Sequence, residues 1–240
     1  MPLPKNRGVV FLCYNNHMLI QLKNLSKCFD QKVIFENVNL EIEAGQVVLL
    51  TGNSGSGKST LLNIIGGLER PTTGEIFINN RDILKLKGRE RADFYRRQIG
   101  FIFQDFYLHP QLKASENIAL AGTFANLKSA ETKHKVELIA KTLHIDSILN
   151  HKLDQVSGGQ AERICIARAL FMSPKIILAD EPTNNLDPTN AENVIKILRA
   201  IATSMKITVI ISSHSQMVAN YADRIINISQ GAIHEISQTR

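Results

Sequence analysis

The segment Gly52-Asn53-Ser54-Gly55-Ser56-Gly57-Lys58-Ser59 narrows what this chain can become more than any other. It satisfies G-x-x-x-x-G-K-[ST] at every fixed position. The run Gln46-Val47-Val48-Leu49-Leu50 precedes it, and Leu61, Leu62, Ile64 and Ile65 follow. That order predicts a buried strand, a phosphate-binding loop and a helix. Glycines let backbone N–H groups converge on phosphate oxygens, and the new helix points its positive end at the same place. Lys58 is placed for the β- and γ-phosphates, Ser59 for Mg²⁺, and Thr60 continues the nucleotide contact. A flexible Gly/Ser turn would explain the glycines but not the Lys-Ser order.

Other short apolar runs, Ile176-Ile177-Leu178-Ala179 and Thr208-Val209-Ile210-Ile211, fit strands buried on both faces of a parallel sheet. Helical patterns separate them, with Val194, Ile197, Leu198 and Ile201 on one face. Val38–Glu43 alternates apolar and polar, and Ile20, Leu22 and then Glu75–Asn79 read as antiparallel strands near it. From about Asp105 to Ser173 the pattern is mostly helical. There Val136, Ile139, Ala140 and Leu143 repeat after Ser129, read as an N-cap. Arg224–Ile228 and Ile233–Ile236 read as a hairpin around Gly231. The expected fold is α/β: a P-loop core with a mostly parallel sheet, an antiparallel β subdomain and a helical subdomain at about 105–173. Met18 directly precedes the first strand pattern, so the domain is taken as 18–240 and 1–17 as an extension or a misassigned start.

Charge and cysteines exclude several classes. The 28 Lys and Arg exceed the 22 Asp and Glu, giving +6. The basic residues are scattered, densest at Lys85–Arg91 and Arg96–Arg97, and do not interleave with aromatics as in a single-strand groove. A solvated face is the better reading, with a lean toward an anionic membrane surface. Cys13, Cys28 and Cys165 form neither a metal spacing nor a disulfide framework, which suits a reducing cytosol. No apolar run approaches the ~20 residues of a membrane span. Val9–Cys13 is too short for a signal segment.

Asp180 and Glu181 follow the strand-like Ile176–Ala179, where the carboxyl ends of a parallel sheet line the ligand crevice. Asp180 can hold Mg²⁺ through water while Glu181 polarises the attacking water. Val156-Ser157-Gly158-Gly159-Gln160 reads first as a capping box, Ser157 at the N-cap and Gln160 three residues on. Two glycines in a first helical turn cost about 0.8–1 kcal/mol each against Ala. A second phosphate site at that helix N-terminus would account for the cost.

This segment resembles the ABC signature, usually LSGGQ, with Val156 for Leu. The resemblance to ABC ATPases runs from about Met18 to Ile236, with the motifs in the family order. It implies ATP hydrolysis with Mg²⁺ in a working unit of two such domains, most simply a homodimer. In that unit Ser157, Gly158, Gly159 and Gln160 close in trans over the partner's nucleotide. It also implies a separate membrane permease, and a place at the cytoplasmic face of the inner membrane. By resemblance, Gln104 contacts Mg²⁺ and the attacking water, and Asp187 couples the two sites. Asp187 before Pro188 is equally a helix N-cap. His214 matches the γ-phosphate-sensing histidine, and Phe29 the aromatic that stacks on adenine. Phe106, Tyr107, Leu108 and Pro110 put apolar side chains where the family receives the permease.

Ser215, Ala161 and Lys113 depart from frequent family residues, and Lys113 removes a capping box from the helix beginning near Ser115. The segments Asn63–Glu69, Ile99–Gln104 and Ala179–Thr183 look like the lipoprotein-release, macrolide-export and FtsE-like branch, although Asn184 replaces its usual Gly. The competing reading is a nucleic-acid- or ribosome-associated ABC ATPase. That class carries a coiled-coil insertion or tandem cassettes, and neither is present in these residues.

Overall fold

The computed structural model describes residues 18–125 and 127–236; the proposed extension 1–17 lies outside them. Two sheets organise the chain. The first is four-stranded and antiparallel, in the order β2-β1-β4-β5. Its strands are β1 (Met18–Phe29), β2 (Lys32–Glu43), β4 (Thr73–Ile78) and β5 (Arg81–Asp82). The second is six-stranded, in the order β10-β9-β3-β8-β7-β6. Here β3 (Val47–Thr51), β6 (Ile99–Ile102), β7 (Ile176–Asp180), β8 (Thr208–Ser212) and β9 (Arg224–Ser229) run parallel. β10 (Ala232–Ile236) closes one edge antiparallel to β9, which is the expected hairpin.

The central strands explain the layering. Side chains alternate along a strand, so each buried strand must serve two cores. Val47, Leu49, Ile177, Ala179, Val209 and Ile211 face one core, with α5 (Gly158–Leu170) and α6 (Pro188–Met205). Val48, Leu50, Ile176, Leu178 and Ile210 face the other, with α1 (Lys58–Ile65) and the antiparallel sheet. Both faces are covered, which is why these runs lack polar positions. β2, covered on one face, alternates as expected.

Two elements escaped the periodicity. α2 (Gly88–Gln98) buries only Phe94 and is laced by Asp93, whose carboxylate pairs with Arg96 at 2.7 Å and Arg89 at 3.9 Å. Its only apolar residues are Ala92, Phe94 and Tyr95, too few among the charges to mark it by apolar periodicity. β6 is four residues long and was too short to register. Between them and β7 lie α3 (Ala114–Ala119), α4 (Ser129–Thr142) and α5. Ser129 is not the N-cap but the first helical residue of α4; Lys128 holds the cap position and donates its N–H to Glu131 Oε2 at 3.2 Å. At α3, half of a capping box survives: Glu116 Oε2 accepts the Lys113 N–H at 2.7 Å. A lysine side chain has no acceptor to supply the other half.

One buried charge-bearing group stands out in α5. Glu162 is 1 % exposed and its Oε1 has no hydrogen-bond partner among the described residues. Burial raises its carboxyl to about 8, only partly opposed by Arg168. The folded chain therefore holds a proton there that the unfolded chain releases near 4.5. Stability from this group is complete at low pH and falls as pH climbs through the window, by at most about 1.4 kcal/mol per unit. Glu162→Gln is expected to flatten that slope. Its melting temperature should match wild type near pH 5 and exceed it near pH 8, as thermal unfolding across pH would reveal.

Candidate nucleotide site

β3 delivers the chain into the glycine-rich loop, and the local backbone admits little else. Gly52 has φ +142°, and a Cβ there would lie 2.3 Å from the Ile228 carbonyl oxygen of neighbouring β9. Lys58 is 8 % exposed, and its Nζ donates to the carbonyls of Gly52 at 2.9 Å and Asn53 at 3.2 Å. The ammonium thus lies across the loop. Ser56 Oγ is buried inside it with no hydrogen-bond partner among the described residues. α1 has Gly57 as its N-cap, which supplies no side-chain cap. Its first-turn N–H groups, the Lys58 charge and the Ser56 hydroxyl together suit phosphate oxygens.

The acidic side is set by strand register. Asp180 and Ser212 are direct neighbours in the β7–β8 pairing. Asp180 Oδ1 accepts from Ser212 Oγ at 2.5 Å and from Ser59 Oγ at 2.9 Å. Ser212 Oγ also accepts the Glu181 N–H at 3.0 Å. Glu181 turns the chain sharply, with φ +46°. A side chain is strained in that region by roughly 1–3 kcal/mol, a strain typical of functional positions. Its Oε1 lies 3.3 Å from His214 Nδ1, and the carboxylate is mostly sheltered while the imidazole is exposed. A cavity of about 270 Å³ opens beside them, lined by Thr183, Leu186, Ser213 and Met217 among others. The hard oxygens of Ser59 and Asp180 match the ligand set Mg²⁺ prefers.

Ser212 was not foreseen. Nothing in its local sequence marks it, because its neighbour Asp180 is 32 positions away and meets it only through sheet order. Lys58, Ser59, Asp180, Glu181 and His214 are thus gathered at the carboxyl ends of β3, β7 and β8. Gln104 follows β6 with its side chain exposed, and its carbonyl accepts from Asn185 Nδ2 at 3.4 Å. Phe29 ends β1, 44 % exposed.

The signature turn forms a second, separate group. Ser157 and Gln160 make the expected reciprocal cap, at 2.9 and 3.3 Å. A Cβ on Gly159 would meet Asn190 Oδ1 at 2.8 Å, so a side chain there would have to push the Asn190 amide aside. Asp187 caps α6, accepting from the N–H groups of Thr189 and Asn190 at 3.1 Å each and from Asn190 Nδ2 at 2.5 Å. The Asn190 amide leads in holding the Asp187 carboxyl below its usual range. Asn190 therefore touches both the signature and the Asp187 turn, a link absent from the sequence reading.

With that geometry in place, likeness to known proteins becomes decisive. The profile of the family described as ABC transporter matches residues 35–184. The chain belongs to the ABC transporter family. It is an ATP-binding, ATP-hydrolysing subunit of that family, and the P-loop α/β fold is that of the family's cassettes. It is 36 % identical over 219 residues to the lipoprotein-releasing system ATP-binding protein LolD of Syntrophotalea carbinolica, covering 90 % of this chain and 96 % of that one. It is 39 % identical to the macrolide export ATP-binding/permease protein MacB of Burkholderia thailandensis, across 90 % of this chain but 33 % of that longer protein. The dimeric ATP-binding cassette MJ0796, solved with ADP and Pi, superposes with a TM-score of 0.81 at 37 % identity, covering 92 % of this chain and all of that one.

His214 is the exposed partner of the sheltered Glu181 and can be removed without opening a core. His214→Ala is expected to lower ATP turnover by about 10²-fold, the usual effect of losing one positioned transition-state group. ATP affinity, measured on the same protein, should stay near wild type.

Proposed function

We propose that this chain is the motor subunit of a transporter of the lipoprotein-release or macrolide-export type, working as a homodimer that drives a separate membrane permease. The observation that carries this is the division of the site. Lys58, Ser59, Asp180, Glu181 and His214 form one cluster, while Ser157–Gln160 and Asp187 form another, exposed and turned toward α6. Two copies facing each other would complete each cluster with the other. The dimeric state of the similar MJ0796 cassette supports that reading. The nucleic-acid alternative finds no support, since the relatives are named as parts of releasing and export systems.

In this scheme the loop N–H groups and Lys58 bind the β- and γ-phosphates, and Phe29 stacks on adenine. Ser59 and Asp180, with Gln104, would hold Mg²⁺, which neutralises phosphate charge when bound. Glu181 takes the proton of the attacking water, and His214 stays near both Glu181 and the γ-phosphate. The partner's Ser157, Gly158 and Gly159 exclude water from the other side. Among the described residues no helix is long and apolar enough to cross a membrane. We place the chain at the cytoplasmic face of the inner membrane, held there by the permease.

The segment after Gln104 offers a docking face, narrower than the sequence implied. Tyr107 is 69 % exposed, but Leu108 is buried in the core and Phe106 is half-buried. Arg168 of α5 donates to the carbonyls of Tyr107 at 2.6 Å and Phe106 at 2.7 Å. The helix that begins with the signature therefore holds the docking segment from behind. Tyr107→Asp alone should abolish co-purification with the permease while sparing basal ATPase; Leu108→Asp would instead put a charge into the core.

The in-trans arrangement has a direct test. Glu181→Gln keeps shape but loses the proton-accepting charge, so MgATP should bind and persist. Since nucleotide favours the closed pair, light scattering should show a monomer-to-dimer shift with MgATP and none with ADP. Adding Ser157→Arg should reverse it. A non-hydrolysing Glu181→Gln protein that stays monomeric even with its permease would remove the in-trans reading.

A further inference from the structure

The aromatic ring read as the base platform lies against a buried cation. Phe29 closes β1 and is 44 % exposed, and Lys27, two residues earlier on the same strand, is 8 % exposed. Its Nζ lies 4.3 Å from the centroid of the Phe29 ring. A lysine ammonium is rarely withdrawn from water unless its donors and charge are matched. Here they are. Nζ donates to Glu69 Oε1 at 2.9 Å and to the Arg70 carbonyl at 2.9 Å, which leaves the third N–H for the ring. Glu69 Oε1 also accepts the Arg70 N–H at 2.9 Å. The Lys27 hydrogen bond leads in holding that carboxyl below its usual range.

Glu69 and Arg70 are themselves placed by α1. The Leu68 and Glu69 N–H groups both donate to the Asn63 carbonyl, at 2.8 and 3.1 Å. The helix whose first turn faces the phosphate loop thus ends in the turn that clamps Lys27. Phosphate end and base end are joined by one short rigid element.

We propose that Lys27 is a positioning residue for the nucleobase: its clamped ammonium supports the Phe29 ring from one face and presents the other for stacking on adenine. The proposal rests on the reading of Phe29 as the adenine platform. Two effects follow from a cation fixed against one face. It draws π density toward itself, leaving the open face poorer in electrons and a better complement to an electron-rich purine. It also holds the ring in one orientation before binding, so less freedom is lost when the base arrives.

The test separates base from phosphate. Affinities for MgATP and for Mg-tripolyphosphate, which has no base, would be measured by calorimetry on the full chain. Wild type, Lys27→Met, Phe29→Ala and the double variant would be compared, with thermal unfolding to confirm folding. Lys27→Met is expected to weaken MgATP by about three- to tenfold, the range of a single cation–π contact. Tripolyphosphate affinity should be unchanged, and Lys27→Met should add no further loss in the Phe29→Ala background. Equal losses for both ligands, or the same loss with and without Phe29, would overturn the proposal, as would no loss at all while Phe29→Ala weakens MgATP. If Phe29→Ala itself leaves MgATP affinity untouched, the adenine platform fails and the proposal with it. Should Lys27→Met not fold, Glu69→Gln loosens the same ammonium from a partly exposed side chain. It should give a smaller loss with the same selectivity for the base, and a loss shared by tripolyphosphate would again overturn the idea.

Discussion

The pairing of β7 with β8 is the interaction on which the rest of this molecule depends. Parallel strands place their carboxyl ends in one row, and the register here sets Asp180 beside Ser212. From that one adjacency come the Ser212 hydrogen bond to Asp180, the anchoring of the Glu181 N–H, and the approach of Glu181 to His214. A slip of one residue would turn every side chain of the strand to the opposite face. Such a slip would put core side chains of one layer into the other, since the two faces of β7 and β8 belong to different cores. The chemistry is therefore held by the same hydrophobic patterning that builds the fold.

α1 and α5 carry the consequences outward in different directions. α1 joins the glycine-rich loop to Glu69 and, through Lys27, to the Phe29 ring. α5 begins at Ser157 and reaches, through Arg168 and Cys165, the carbonyls of the segment after Gln104. Each helix thus ties a loop proposed to meet nucleotide to a distant surface through a few hydrogen bonds. The buried Glu162 in α5 is the local exception, a carboxyl kept protonated by its surroundings rather than matched by a partner.

Glycine in the signature illustrates how two requirements can coincide. Exposed N–H groups at a helix N-terminus suit a phosphate, and the sequence alone suggested that use for Gly158 and Gly159. The packing adds that a side chain at Gly159 would displace the Asn190 amide. Asn190 in turn holds Asp187, so two motifs read separately are in contact through a residue belonging to neither.

What the sequence by itself determined are the features whose cause is local. The loop from Gly52 to Ser59, the buried runs of β3, β7 and β8, the cap at Ser157 and the Asp187-Pro188 helix start all follow from neighbouring residues, and the family resemblance implies roles for them. α2 and β6 were silent because a charge-laced helix and a four-residue strand have no periodic apolar pattern. Tertiary structure alone decided the rest. It placed Ser212 on Asp180, hid Leu108 while exposing Tyr107, and set Lys27 beneath Phe29 between Glu69 and Arg70. Most of those contacts join residues tens of positions apart. No local propensity encodes them, because sheet order and helix packing bring the partners together only after the chain has collapsed around both cores.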